Sequence, residues 1–308
     1  MRRVREMDPT SILPSLRADP ALKRFATILE PGEADQPVLP RTTRGAVHQF
    51  LTEMQCEDEL RAYGLEPRRT AIFSGPPGCG KTTLGHHIAA RLGLPLVLVD
   101  LQMLVSSALG GTGRNIADLM TAAENHAEDC VLFFDEFDAV ASKRKSAAQA
   151  CDTEMNAVVI ALLQRVDRFK GIMLAATNVG DEIDPALWRR FGMHLEIDLP
   201  DDDCRFAILK RYLAPLALPD DDMELLVDLT AMATPALLRQ LMEAIKRDVV
   251  LSKRFERDMS AASVFGRAVA GIQPHAGSVL PELWADPTRA VSALGGIHWP
   301  PTMEGGAE

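Results

Sequence analysis

The chain has 308 residues, of which 47% are hydrophobic and 25% charged, and this composition excludes a chain that is disordered throughout. Its formal net charge of −10, without clustered basic residues, argues against nucleic acid as a partner. No apolar run reaches the length of a signal peptide or a membrane span, and the five cysteines form no C-x-x-C pair, so we expect a cytoplasmic protein without a membrane partner, zinc site or disulfide framework.

The first part of the chain, residues 1–43, is rich in proline and charge. It shows no sustained hydrophobic period beyond a possible short helix near Ala21 to Leu29. We therefore interpret it as a linker or a small docking segment. The stretch that follows, HQFLTEMQCEDELRAYGLEP, has apolar residues at helical spacing and predicts a helix that stops at Gly64.

Between Thr70 and Leu199, short apolar runs alternate with helical stretches, which is typical of a wound parallel sheet. The runs are almost continuously apolar, as expected for strands that helices cover on both faces. In chain order they are TAIFS, PLVLVD, CVLFFD, GIMLAATN and HLEIDL. The pattern predicts an α/β domain over residues 44–200, with its ligand site at the carboxyl ends of the strands.

After Pro200 the strands stop and three helical patterns follow, at Asp203 to Leu213, Met223 to Met232 and Pro235 to about Arg254. These patterns predict a small helical domain over residues 201–256. Residues 257–308 lose the helical period and gain proline and glycine, so we expect them to form a tail.

A phosphate-loop pattern, G-x-x-x-x-G-K-[ST], follows the first apolar run as GPPGCGKTT. Glycines allow backbone N–H groups to turn toward phosphate oxygens, and the next helix directs its positive end at the same anion. We expect Lys81 to contact the β and γ phosphates and Thr82 to bind Mg²⁺. The alternatives are a glycine turn with an incidental lysine and, at Cys79, either an oxidisable thiol or a small loop residue. The predicted nucleotide-binding residues are Gly75, Pro76, Pro77, Gly78, Cys79, Gly80, Lys81, Thr82 and Thr83.

Acidic and amide side chains follow two later runs. Asp135 and Glu136 come at the end of CVLFFD and its continuation, and we assign Asp135 to the metal ion and Glu136 to the attacking water as a base. The alternative is a solvated acidic turn, and for Asp138 we expect only local hydrogen bonds. Asn178 ends the run GIMLAATN, where its amide could orient the same water or could merely cap a turn.

Four segments, GPPGCGKTT, FFDEFDAV, AATN and DPALWRRF, resemble the AAA+ ATPases in their order and spacing. The strand spacing and the segment DPALWRRFGMHLEIDLPDDDCR are particularly similar to the meiotic clade, which includes spastin and katanin, and to its bacterial relatives. The resemblance covers residues 45–255. It implies a five-stranded parallel sheet in the order 5-1-4-3-2 with a small C-terminal helical lid domain, and it implies ATP hydrolysis with Mg²⁺.

Two arginines, Arg189 and Arg190, stand where this family carries arginine fingers, which contact the γ phosphate bound in a neighbouring subunit. Guanidinium groups suit that role because their planar donors neutralise charge on the transferred phosphoryl oxygens. The alternative is a pair of surface arginines in a turn. The resemblance therefore implies a homo-oligomer, usually a hexameric ring, whose active sites are shared between subunits.

The sequence also departs from the family. Where members that thread polypeptides carry an aromatic-hydrophobic-glycine triplet in the pore loop, this chain has Ala108-Leu109-Gly110. The start of the lid helix lacks an arginine. Arg239 lies one turn further on, where it could reach the nucleotide or lie on the lid surface, and we interpret it as a residue of the lid surface.

Two kinds of function remain open. In the first, ATP hydrolysis in a ring remodels a bound client protein. In the second, ATP assembles a regulatory scaffold that switches a partner protein, a protease or an effector, without threading it. A small-molecule kinase is disfavoured, because Glu136, Asn178 and the paired arginines describe a reaction directed at water.

Overall fold

The computed structural model describes residues 9–104, 111–141, 159–160, 162–274 and 279–303. The chain divides into two compact units. The N-terminal unit contains Met1–Pro37, Arg41–Pro76 and Lys81–Ile197, and the C-terminal unit contains Val38–Pro40, Pro77–Gly80 and Asp198–Glu308. Within the described ranges, no helix has the length and apolar character that crossing a membrane would require.

The N-terminal unit is built on a six-stranded sheet with the order β1-β3-β4-β5-β2-β6. All neighbours are parallel except β1 and β3. The predicted α/β fold is confirmed, but the sheet has six strands and not the five expected, because β1 adds to its edge in the antiparallel direction. The five parallel strands follow the order 5-1-4-3-2. The strands are β1 (Ala26–Leu29), β2 (Thr70–Ser74), β3 (Leu96–Val99), β4 (Val131–Phe134), β5 (Ile172–Thr177) and β6 (Met193–Glu196).

The sixth strand corrects our interpretation of residues 1–43 as a linker or docking segment. β1 pairs with the edge strand β3, and the segment before it forms two helices that belong to the same unit. Leu16, Leu22 and Phe25 are fully buried in the core, which offsets the cost of ordering this segment. Asp19 caps the second helix by accepting from the N–H groups of its first turn. The helices are α1 (Pro9–Ala18) and α2 (Pro20–Phe25).

Helices pack against the sheet, and every residue of β4 and β5 is buried, as the apolar runs predicted. The helix predicted to stop at Gly64 is divided at Cys56 into two. Another follows the phosphate loop directly. The helices of this unit are α3 (Arg41–Gln55), α4 (Glu57–Ala62), α5 (Lys81–Arg91), α6 (Leu101–Leu104), α7 (Gly111–Asn125), α8 (Asp138–Ala141) and α9 (Pro185–Trp188). Residues 162–166 are also helical.

The C-terminal unit is largely helical and extends beyond the predicted boundary at residue 256. The expected tail instead supplies core residues, including Phe265, Leu283 and Leu294. Ser260 and Asp286 cap helices there, so capping residues and short apolar patterns outweigh the prolines and glycines between them. The elements are α10 (Asp202–Leu213), β7 (Leu216–Ala217), α11 (Asp220–Leu229), α12 (Pro235–Phe255), α13 (Ala261–Ala270), α14 (Glu282–Ala285), α15 (Pro287–Leu294) and β8 (Thr302–Met303).

Candidate active site

The predicted phosphate loop joins the end of β2 to the start of α5. Gly75, Gly78 and Gly80 have φ angles of 148°, 80° and 85°, which side-chain-bearing residues rarely adopt. At Gly75 a β-carbon would also lie 2.1 Å from the carbonyl oxygen of Ile197. Glycine is therefore required where the chain leaves the sheet, and the loop has the curled backbone that phosphate binding needs.

The side chain of Lys81 lies inside this loop. It is 7% exposed, and its Nζ donates to the carbonyl oxygens of Gly75 and Pro76 at 2.7 and 2.9 Å. It also donates to Oδ1 of Asn178 at 2.7 Å. The structure thus brings together a lysine and an asparagine from distant parts of the sequence, at the carboxyl ends of neighbouring strands.

Beside them, the first turn of α5 meets the end of β4. Thr82 donates its hydroxyl hydrogen to Oδ2 of Asp135 at 2.5 Å, and Oδ1 of Asp135 accepts from the backbone N–H of Glu136 at 2.9 Å. A hydroxyl and a carboxylate are the hard oxygen donors that Mg²⁺ prefers. These two residues therefore fit a magnesium ion next to the phosphate loop.

The chain turns sharply after Asp135. Glu136 has a φ of 49°, in the left-handed region, and its side chain is exposed. Two hydrogen bonds attach this turn to the end of β5. Asp138 accepts from the hydroxyl of Thr177 at 2.7 Å and from the N–H of Asn178 at 3.3 Å. Asp138 thus makes the local hydrogen bonds expected of it, and they tie the ends of β4 and β5 together.

The two predicted arginine fingers come just before β6 in the chain. They therefore lie at the amino ends of the parallel strands, opposite the carboxyl ends where Lys81 and Asp135 are found. Nε of Arg190 pairs with Oδ1 of Asp167 at 2.7 Å, and the two side chains are 42% and 47% exposed. Arg189 is exposed, and its side chain has no hydrogen bond or ion pair within the described parts of the chain. The N-terminal unit thus places neither arginine with Lys81, and no motif in the sequence identifies Asp167.

The remaining predicted residues are placed as follows. Cys79 is buried. Arg239 pairs with Glu243 at 2.8 Å within the C-terminal unit and is 54% exposed, in agreement with its interpretation as a surface residue. Ala108-Leu109-Gly110 lies outside the described residues.

Comparison with known proteins finds a family that matches part of this chain. Residues 71–199 match the family model described as ATPase family associated with various cellular activities (AAA). The chain carries an AAA-family ATPase domain. The recognition of this family is confirmed, whereas the finer likeness to the meiotic clade stays a prediction.

Three relatives show how far the similarity extends. An uncharacterized AAA family ATPase of Sinorhizobium fredii is 38% identical over 68% of this chain and 64% of its own length. A proteasome-activating nucleotidase of Thermococcus gammatolerans is 30% identical over 77% of this chain and 61% of its own length. The 26S proteasome regulatory subunit 10B homolog A of Arabidopsis thaliana is 32% identical over 82% of this chain and 64% of its own length. The chain thus spans less than two thirds of the length of these relatives.

Proposed function

We propose that the AAA domain of this chain binds ATP with Mg²⁺ and hydrolyses it. The observation that carries the proposal is the buried ammonium group of Lys81, which joins the phosphate loop to Asn178 beside the oxygen pair of Thr82 and Asp135. A buried cation, curled glycines and hard oxygen donors at one edge of a parallel sheet match what a nucleoside triphosphate requires.

Each residue has a distinct task in this reaction. Lys81 binds the β and γ phosphates, and Thr82 with Asp135 holds Mg²⁺, which when bound neutralises phosphate charge. Glu136 accepts a proton from the water that attacks the γ phosphorus, while the bond to the β-phosphate oxygen breaks and ADP and phosphate leave. Since Oδ1 of Asn178 accepts from Lys81, its NH₂ group remains to donate to the γ phosphate or the water.

Arg189 and Arg190 are the basis for proposing that several subunits take part in hydrolysis. Arg189 and Arg190 precede β6 at the edge of the sheet opposite Lys81, so we assign them to the γ phosphate held by a neighbouring copy. A homo-oligomer, in this family usually a hexameric ring, then shares its active sites between subunits. We propose that the assembly works in the cytoplasm and acts on a protein partner, which it remodels.

A regulatory scaffold is the second candidate, and the triplet Ala108-Leu109-Gly110 favours it because it lacks the aromatic side chain that grips a threaded polypeptide. The proteasome-activating nucleotidase among the relatives is named for an activating role, which is compatible with either function. Leu109→Asp separates them. Unfolding of a tagged client that continues in this variant counts against threading, and its loss supports threading.

Removal of the Lys81 ammonium group tests nucleotide binding. Lys81→Ala is expected to weaken ATP binding by about a hundredfold or more, since a buried charge-assisted contact to phosphate is lost. Titration with a fluorescent ATP analogue measures the affinity. Lys170→Ala, an exposed lysine in the same unit, is the matched control and should bind as the parent does. Unchanged affinity in Lys81→Ala would contradict the binding site.

Neutralisation of Glu136 tests hydrolysis separately from binding. Glu136→Gln keeps the shape of the side chain but cannot accept a proton, so turnover should fall by about 10² to 10⁴-fold while ATP still binds. Phosphate release and ATP affinity are measured on the same preparation, with Glu182→Gln as a control at an exposed glutamate of the same unit. Turnover that persists in Glu136→Gln would make the assignment of the base wrong.

A further inference from the structure

The turn between α4 and β2 exposes two large apolar side chains that are two residues apart in the sequence. Tyr63 is 86% exposed and Leu65 is 56% exposed. Among the large hydrophobic side chains that the structure describes, Tyr63 has the greatest exposed fraction. Tyrosine is enriched at the energetic centres of protein interfaces, because it combines a rigid apolar ring with a polar end.

This turn is held rigidly. Gly64 has a φ of 74° and ends the helix, and the N–H of Leu65 donates to the carbonyl oxygen of Leu60 at 2.9 Å. Three ion pairs close the base of the turn: Arg61–Glu57 at 2.5 Å, Arg61–Glu66 at 3.3 Å and Arg69–Glu57 at 2.7 Å. A preformed turn loses little conformational entropy when its exposed side chains are covered.

The turn is also continuous with the arginine-bearing edge of the sheet. Thr70, the first residue of β2, donates its hydroxyl hydrogen to the carbonyl oxygen of Arg190 at 3.1 Å and accepts from the N–H of Gly192 at 2.9 Å. A β-carbon placed on Gly192 would lie 3.1 Å from the side chain of Arg68. The residues that follow Tyr63 and Leu65 thus pack directly against the segment that carries the two arginines.

We infer that Tyr63 and Leu65 are an apolar anchor for a second copy of this chain, at the contact that delivers Arg189 to its neighbour. The inference rests on the proposed function, in which the active site is incomplete without an arginine from another subunit. That contact must surround the arginine-bearing edge, and the rigid apolar turn adjoins this edge. Apolar side chains in the same subunit contact would also exclude water from it, which strengthens electrostatic interactions there.

The experiment measures assembly in the presence of ATP on the Glu136→Gln background, which holds nucleotide without turnover. Particle mass is followed against protein concentration for the parent, for Tyr63→Ala with Leu65→Ala, and for Tyr63→Phe. We expect the double variant to need at least about tenfold more protein to assemble, and Tyr63→Phe to assemble as the parent does. In the chain with Glu136 intact, ATP turnover of the double variant should recover when its concentration is raised.

Two controls make the result specific. Phe255→Ala removes another exposed aromatic ring, 60% exposed and in the C-terminal unit, and urea unfolding of each variant checks that the fold is unchanged. If the parent assembles and the double variant assembles at the same concentration, this inference is wrong and the proposed function stands. If the parent itself stays monomeric with ATP at every concentration, the proposed shared site fails, and the anchor fails with it.

Discussion

Polar side chains have different surroundings at the two edges of the parallel sheet, the carboxyl edge where its strands end and the amino edge where they begin. At the carboxyl edge, Lys81 contacts Asn178 and Thr82 contacts Asp135, so the groups that would bind phosphate and metal are held in position by one another. These contacts restrict the positions of the four side chains, and such preorganisation lowers the cost of binding.

At the amino edge the corresponding groups face solvent. Arg189 is exposed, Arg190 shares a half-exposed ion pair with Asp167, and Tyr63 is 86% exposed on the adjoining turn. The polar groups of one edge therefore contact each other within a single chain, whereas the other edge exposes charged and apolar side chains to solvent. The contrast supports the proposal that one subunit binds the nucleotide and that rapid hydrolysis requires two.

Arg189→Ala tests this contrast with the largest expected effect. Turnover should fall by about 10³-fold, the effect of removing an arginine that stabilises the transferred phosphoryl group, while ATP affinity stays within about twofold. Arg91→Ala, an exposed arginine at the end of α5, is the matched control. An equal loss of ATP affinity and turnover would place Arg189 in its own subunit's binding site instead.

Mixing two inactive variants sharpens the same test. Arg189→Ala subunits retain Glu136, and Glu136→Gln subunits retain Arg189, so a contact between them rebuilds one intact site if the arginine acts in trans. Phosphate release should reappear on mixing. A mixture that assembles but stays inactive would mean that Arg189 and Glu136 act within one chain.

Asp167→Asn should have a smaller effect. The Arg190–Asp167 pair is 42% and 47% exposed, and such pairs contribute about 1 kcal/mol or less, which corresponds to a factor of about five. We expect turnover to change by no more than this factor. Steady-state phosphate release measures it, and a loss approaching that of Arg189→Ala would show that Asp167 does more than hold Arg190.

The smallest expected effect is on stability and concerns the ion pair of Arg68 with Glu53, close in the chain to the exposed turn. Arg68 donates to Glu53, and this hydrogen bonding keeps the pKa of Glu53 below its ordinary value of 4.5. Because the pKa is lowered in the folded state, the stabilisation is present above pH 4.5 and is lost as the pH falls through the folded value. The Arg68 side chain is 38% exposed, so water screens the pair and its contribution is at most about 1 kcal/mol.

Urea unfolding of Glu53→Gln measures this contribution. The variant should be less stable than the parent at pH 7, and the difference should shrink as the pH is lowered below 4.5. Glu59→Gln, an exposed glutamate on α4, should follow the parent at every pH. A difference in the free energy of unfolding that does not change with pH would exclude Glu53 ionisation as its cause.

Much of the carboxyl edge could be predicted from the sequence, because it depends on local motifs at strand ends. Lys81, Asp135 and Asn178 each follow an apolar run, and parallel strands necessarily bring such ends together. Strand β1 could not be predicted in this way, since four residues in a proline-rich segment become a strand only by pairing with β3.

The contacts of the amino edge were harder to predict from the sequence, because they too depend on pairing between distant parts of the chain. Arg190 meets Asp167 through the packing of separate elements, and neither residue type nor spacing marks that contact. For the helices after residue 256, the N-cap residues Ser260 and Asp286 are a sequence signal of helix starts. The signal is weak, because the apolar patterns that follow are short and lie between prolines and glycines.

In the proposed assembly, one subunit binds ATP and a neighbour completes the site that cleaves it. The most direct measurement is ATP turnover per subunit together with particle mass over a wide range of protein concentration. Turnover and mass should fall together on dilution, because separated subunits lose the neighbour's arginine. A particle that remains monomeric throughout and hydrolyses ATP at its full rate would contradict it.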